Sequence, residues 1–126
     1  MRALAGDIID GADADAAIRS RMREWDGEYV AVVYSKPDRR LWLFSDPLGR
    51  LPLYVARSDR GLAISRDQRF LIEHEGIGGV DRVGIAQLLR FGFPLGRHTL
   101  IQGVEHVAAG RGFRADPGGI CTIEGL

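Results

Sequence analysis

Among the 126 residues one cysteine, Cys121, and three histidines, His74, His98 and His106, have the side chains for nucleophilic or general acid–base chemistry. A thiol beside a base could attack an acyl group. Cys121, however, follows Gly118-Gly119-Ile120 in a strand-like run and reads as a small packed residue. The nearest histidine in sequence, His106, is not identifiable as its base. A single cysteine excludes an internal disulfide and a thiolate-rich zinc site, and the histidines show no recognised ligand spacing, so no metal is expected. Gly76-Ile77-Gly78-Gly79 is rich in glycine but lacks the Lys or Ser of a phosphate cradle. No nucleotide site is assigned to it.

The elements that would position these groups are those of an ordinary globular protein, with 45% hydrophobic and 27% charged residues. Folding a chain of this length removes roughly two-thirds of its unfolded surface from water, which is enough for one core and one domain over residues 1–126. Seventeen basic residues balance seventeen acidic ones. No long-range positive field therefore draws the chain to nucleic acid or to anionic lipid. The longest apolar run, Tyr29 to Tyr34, is far short of the ~20 residues that span a bilayer, and the N-terminus has no basic-then-apolar signal pattern. A cytoplasmic protein without a membrane partner is expected.

Asp13 to Trp25 reads as a helix stopped by Asp26-Gly27. Glu28 to Ser35, a run of Val, Ala and Tyr, reads as a strand buried on both faces inside a sheet. Lys36-Pro37-Asp38 turns the chain into a second strand, Arg40 to Ser45, to make a hairpin. After the turn-forming Asp46-Pro47-Leu48-Gly49, Leu53 to Arg57 and Leu62 to Ser65 extend the pattern into a central antiparallel meander. A short helix around Phe70, Leu71 and Ile72 ends at the Gly76 to Gly79 stretch. A second helix over Asp81 to Arg90, capped by Asp81 and with Val83, Ile85, Ala86, Leu88 and Leu89 as its apolar face, breaks at Gly92 and Pro94. Val104, Phe113, Ile120 and Ile123 mark two terminal strands. The class is α+β.

Four stretches carry a family resemblance. Trp25-Asp26-Gly27-Glu28-Tyr29-Val30-Ala31 is similar to a Leu-Asp-Gly-x-Phe-Ala entry into a central strand, and Ser45-Asp46-Pro47-Leu48-Gly49-Arg50-Leu51-Pro52-Leu53-Tyr54 to Arg-Asp-x-x-Gly-x-x-Pro-Leu-Tyr. Gly61-Leu62-Ala63-Ile64-Ser65 before a short helix is similar to the strand leading into a Ser-Glu-x-Lys-x-Leu segment. Arg97 to Val104, with Ala108-Ala109-Gly110, then resembles Thr-Leu-Phe-x-Gly-Val and Leu-Pro-Pro-Gly. In this order the segments resemble the N-terminal domain of asparagine synthetases and their relatives, the class II glutamine amidotransferases, over Trp25 to about Phe113. The resemblance implies an N-terminal-nucleophile sandwich of two antiparallel sheets with flanking helices, shortened at the N-terminus. Asp26, Gly27, Asp46, Gly49, Pro52, Leu53, Tyr54, Gly103 and Gly110 are then architectural: glycines at backbone demands, Leu53 and Tyr54 in packing.

The family's nucleophile is a cysteine directly after the initiator methionine, whose free α-amine assists the thiol, with an Asn-Gly pair stabilising the oxyanion. Position 2 here is Arg2, which has no attacking atom. Ala3 to Asp10 resembles the strand ending in Asn-Gly-Glu-Ile-Tyr-Asn, with Ala5 in place of Asn. Gly6 and Asp7 would keep a backbone donor and a contact for a ligand's amino group, which makes them the substrate-binding candidates; a plain strand end and turn is the competing reading. Asp13 and Asp15 are weak matches to the family's Ser-Asp-x-Glu glutamine motif. No catalytic residue is assigned.

The resemblance thus implies a degenerate amidotransferase-like domain that supports an asparagine synthetase-like adenylating unit, making asparagine or, as in lasso-peptide macrolactam synthetases, a peptide amide. That unit, expected beyond Glu124, would hold ATP and Mg, and no cofactor is expected in these residues. Its synthetase domain or a second copy of the chain is the expected partner, with glutamine or a peptide as ligand. Two alternatives stand beside this: a fragment of an active glutamine-hydrolysing enzyme whose cysteine lies upstream, and a non-catalytic binding module.

Overall fold

A tight turn sets the first strand pairing. The Ser35 hydroxyl donates to the Asp38 carboxylate at 3.1 Å, and Arg39 takes a left-handed φ of 53°. This turns β1 (Val30–Ser35) back into β2 (Arg40–Ser45), paired antiparallel from Val30 opposite Ser45 to Ser35 opposite Arg40. The computed structural model describes residues 16–18, 20, 24–59 and 61–123. The expected helix from Asp13 to Trp25 lies partly outside these, with helical backbone at residues 16–18, 20 and 24.

The remaining elements are β3 (Tyr54–Ser58), β4 (Gly61–Ser65), α1 (Gln68–Glu75), α2 (Arg82–Phe91), β5 (Val104–His106), β6 (Gly112–Asp116) and β7 (Gly119–Ile123). Two antiparallel sheets form, ordered β1-β2-β6-β7 and β4-β3-β5. With the helices they establish the α+β class. The expected central meander is instead two hairpins in different sheets, because the eight residues from Asp46 to Leu53 separate β2 from β3 and each strand takes its second neighbour from the C-terminal third. Three strands, not two, follow α2.

Backbone contacts divide the chain into two compact units. The first comprises the residues up to Leu51 together with those from Ala109 onward, the second Pro52–Ala108. In the first, Ile18, Trp42, Phe44 and Ile123 form a buried cluster against which Trp25, Tyr29, Ala31 and Val33 pack. Strand β1 corrects the reading of a strand buried on both faces. Ala31 and Val33 face the core while Val32 and Tyr34 are more than half exposed, and among the described residues β1 stands at the end of its sheet. A side chain alternates faces whether or not its neighbour is polar.

In the second unit Ala56, Leu71 and Val104 form the core, lined by Tyr54, Ala63, Ile77 and Ile101. The fully buried Leu71 brings α1 onto β3 and β4, an anchor worth about 3 kcal/mol against alanine. Asp67 caps α1 by accepting the Arg69 amide at 2.9 Å, Gly76 ends it, and Ser58 donates to the Glu75 carboxylate. Asp81 caps α2 by accepting the Val83 and Gly84 amides at 2.8 and 2.9 Å, and Gly92 closes it by donating to the Leu88 carbonyl. No helix among the described residues is long and apolar enough to cross a membrane.

Gly84 is the point where α2 meets the chain beyond it. A β-carbon there would lie 1.9 Å from the Thr99 carbonyl oxygen, which is backbone and cannot swing aside. Gly84→Ala should therefore lower stability by about 3 kcal/mol, from enforced separation rather than from helix propensity, which alone would favour alanine. Chemical denaturation reads this directly, and an unchanged or raised midpoint would show that the approach is not needed.

Candidate functional site

The segment Ser45 to Arg50 is built around a buried carboxylate. Asp46 is 1% exposed, and both of its oxygens accept the Arg50 amide at 3.2 Å. Its carbonyl accepts the Gly49 amide at 2.9 Å, closing a turn with Pro47 and Leu48 at the corners, and its own amide donates to the Tyr29 carbonyl at 3.1 Å. The Ser45 hydroxyl donates to the Asp46 carbonyl at 3.4 Å. Asp46 is thus engaged at its amide, carbonyl and carboxylate. It anchors a turn.

Gly49 completes this turn at φ 60°, and a β-carbon there would approach Ala109 Cα to 3.1 Å and Cβ to 3.2 Å. The Asp46–Gly49 turn and the Ala109-Gly110 segment, 60 residues apart in sequence, therefore abut within one unit. Nearby, the Tyr29 hydroxyl is buried without a hydrogen-bond partner among the described residues. Burial first, and the Asp46 charge second, push its pKa above the ordinary tyrosine value. Asp26 accepts the Gly27 amide at 2.8 Å in an exposed bend. Gly6 and Asp7, like Arg2, Ala5, Asp13 and Asp15, lie outside the described residues.

Cys121 is exposed on β7, opposite Arg114 of β6, where it had been expected to pack. Its nitrogen is a peptide amide within a strand, so it cannot supply the α-amine of an N-terminal nucleophile. Among the described residues no group of three or more His, Cys, Asp and Glu side chains is arranged to hold a metal.

The second unit carries a cleft of about 530 Å³ that the sequence did not disclose, lined by Tyr54, Gln68, His98, Thr99, Ile101 and His106 with Pro94 and Leu100 at its sides. Tyr54, at the end of the long motif, lines one side of it. Leu53 is buried and its carbonyl accepts the Val107 amide at 2.8 Å. Tyr54 pairs opposite His106, their rings edge to face with centroids 5.7 Å apart.

The Thr99 to Val104 segment builds the other wall. The nearly buried Thr99 hydroxyl lies 2.8 Å from the Val104 carbonyl and accepts the Ile101 amide at 3.1 Å, holding a bend that includes Gly103 at φ 82°. Val80 and Ile101 form an antiparallel bridge, flanked by the Asp81 amide donating to Leu100 and the Gln102 amide donating to Gly79. This is the backbone use of the Gly76 to Gly79 stretch. The bridge also brings the His98 Nδ1 to 3.4 Å from the Asp81 carboxylate. No spacing rule announces that contact, since Asp81 reads as a cap and His98 as an isolated histidine.

The Asp81 carboxyl is held below its ordinary value of 3.8, foremost by the Gly84 amide; desolvation, the next-largest effect, opposes this, and His98 and the Val83 amide add to the lowering. A carboxyl lowered on folding contributes stability above its unfolded pKa, and that contribution is lost as pH falls through the lowered folded value. Asp81→Asn keeps a capping side chain but cannot titrate, so its stability should fall less steeply than the parent's below pH 3.8. For the other turn, Gly49→Ala should cost about 2 kcal/mol from its left-handed backbone and the Ala109 contact. Urea titrations across acid pH test the first, and a neutral-pH titration the second; parallel acid limbs or an unchanged midpoint would refute them.

No curated protein matches the sequence. Residues 17–123 match the family described as a glutamine amidotransferase domain, a span that takes in the buried Asp46 turn, both hairpins and the cleft. With that match over most of its length, the chain belongs to the glutamine amidotransferase domain family.

Proposed function

We propose that the chain is an amidotransferase-like domain that does not itself hydrolyse glutamine and that supports an asparagine synthetase-like, ATP-dependent amide-forming enzyme in the cytoplasm. The observation that carries this reading is Cys121: the only thiol in the sequence sits within strand β7, with its nitrogen in a peptide bond. An acyl transfer that needs a thiol and its own α-amine has neither arrangement there.

The supporting observations concern architecture. The family's most specific segment is engaged in holding the chain, through the Asp46 carboxylate, the Gly49 approach and the buried Leu53. A partner that forms amides from an amine already present, in peptide macrolactam formation, would have no need of ammonia from glutamine; asparagine synthesis remains the other product class. The adenylating partner would contribute ATP and Mg. Among the described residues strands β1 and β7 end the four-stranded order, and edge strands of this kind can pair with a partner chain or a second copy.

The preserved turn also suits a hydrolysing enzyme whose cysteine is supplied upstream, and one assay separates the two. The purified chain, alone and with a synthetase partner, should release no glutamate from glutamine above a buffer control. Turnover that disappears on Cys121→Ala would overturn the proposal, whereas turnover appearing only when upstream sequence is included would establish the hydrolysing reading. Because Cys121 is exposed, the substitution itself should change stability by about 1 kcal/mol or less.

A further inference from the structure

The cleft of the second unit has a chemical bias that the amidotransferase family assignment does not use. Its side-chain polar groups are the Tyr54 phenol, the Gln68 amide, the Thr99 hydroxyl and the imidazoles of His98 and His106. Thr99 is committed to the backbone of its own bend. Among the described residues no carboxylate and no Lys or Arg side chain lines the space, and imidazole is the lining group whose charge, where it has one, is positive. Two charged pairs stand beside the lining residues. Arg97 lies 3.8 Å from Glu105, and Asp81 faces Nδ1 of His98.

A carboxylate opposite Nδ1 fixes that nitrogen as the donor, and Nε2 of His98 is then the nitrogen left for a ligand, donating to a carboxylate when the ring is the imidazolium. The remaining lining is apolar: the Tyr54 ring, Pro94, Leu100 and Ile101. A volume of about 530 Å³ falls within the range of small-molecule sites, where an apolar wall takes the ligand body and a few polar groups fix its orientation.

We propose that this cleft binds a small molecule carrying a carboxylate on an apolar or aromatic body, with the carboxylate at His98 and His106 and the body against Tyr54, Pro94 and Ile101. An ammonium ligand finds no carboxylate among the described lining residues. A free aromatic acid and the C-terminus of a peptide share this chemistry. The site stands on residues of the second unit only, so it is independent of the proposed role for Cys121.

Titration of the full chain, followed by the histidine ring-proton NMR signals at about pH 6, tests the site. The probes are benzoate, N-acetylphenylalanine, its uncharged amide N-acetylphenylalaninamide, and benzylamine. Both acids should give saturable shifts at His98 and His106, with the amide and the amine at least tenfold weaker, about the effect of one charge-assisted hydrogen bond. His106→Gln should weaken benzoate about tenfold, and so should His98→Gln. Since His98→Gln also removes the Asp81 contact, His106→Gln carries the test if that variant is unstable. Tighter binding of N-acetylphenylalanine than of benzoate supports the proposal and points to a peptide terminus; the reverse order supports it and points to a free acid. Non-saturable shifts, equal binding of acid and amide, equal binding of benzylamine, or undiminished affinity in His106→Gln would each overturn it.

Discussion

A carboxylate taken out of water must be met by donors, and at Asp46 the donors are the chain's own. An unmet buried charge is among the most costly features a fold can contain. Here the Arg50 amide lies at hydrogen-bonding distance from both oxygens, and that contact fixes the path from β2 through Gly49. Once the path is fixed, Gly49 comes so close to Ala109 that the two family segments define one another's position. The residues that make the sequence recognisable are thereby bound to backbone work.

The second unit follows the same logic with neutral and charged caps. The Thr99 hydroxyl replaces water at the carbonyls and amide of a tight bend. Asp81 satisfies the first amides of α2 and meets His98 from the other side. Only a residue without a side chain can stand at position 84, between that cap and the Thr99 carbonyl. The cleft is a consequence: its lining comes from the bend, the start of α1 and the Tyr54 end of β3, and its histidines are part of that framework, His106 through its pairing with Tyr54 and His98 through Asp81.

Local chemistry was legible in the sequence where one residue type answers one backbone need. Pro37 and Asp38 marked the hairpin turn, Asp81 the start of α2, and Gly92 its end. The long-range arrangement was not. Val30 to Tyr34 contains no polar residue to betray its exposed face, so a strand with Val32 and Tyr34 in solvent reads like one buried on both sides. Nothing in the run of short strands shows that the chain changes sheets between Ser45 and Tyr54. Cys121 reads as packed because it follows Gly118-Gly119-Ile120, yet β7 is exposed from Gly119 to Thr122 and buries only Ile123. The cleft was hidden because Tyr54, His98 and His106 meet through pairing of β3 with β5 and the bridge of Val80 with Ile101, neither of which spacing reveals.

The central claim is that the family's most specific segment is structural, and the amide of Arg50 reports on it most directly. Hydrogen exchange at neutral pH should find that amide strongly protected in the parent chain and exchanging much faster in Asp46→Ala, with stability lowered by about 2 kcal/mol through the loss of a buried charge-assisted hydrogen bond. Free exchange at Arg50 in the parent chain, or a variant as stable as the parent, would contradict the account, because the Asp46 carboxylate would then be available for a ligand or for chemistry.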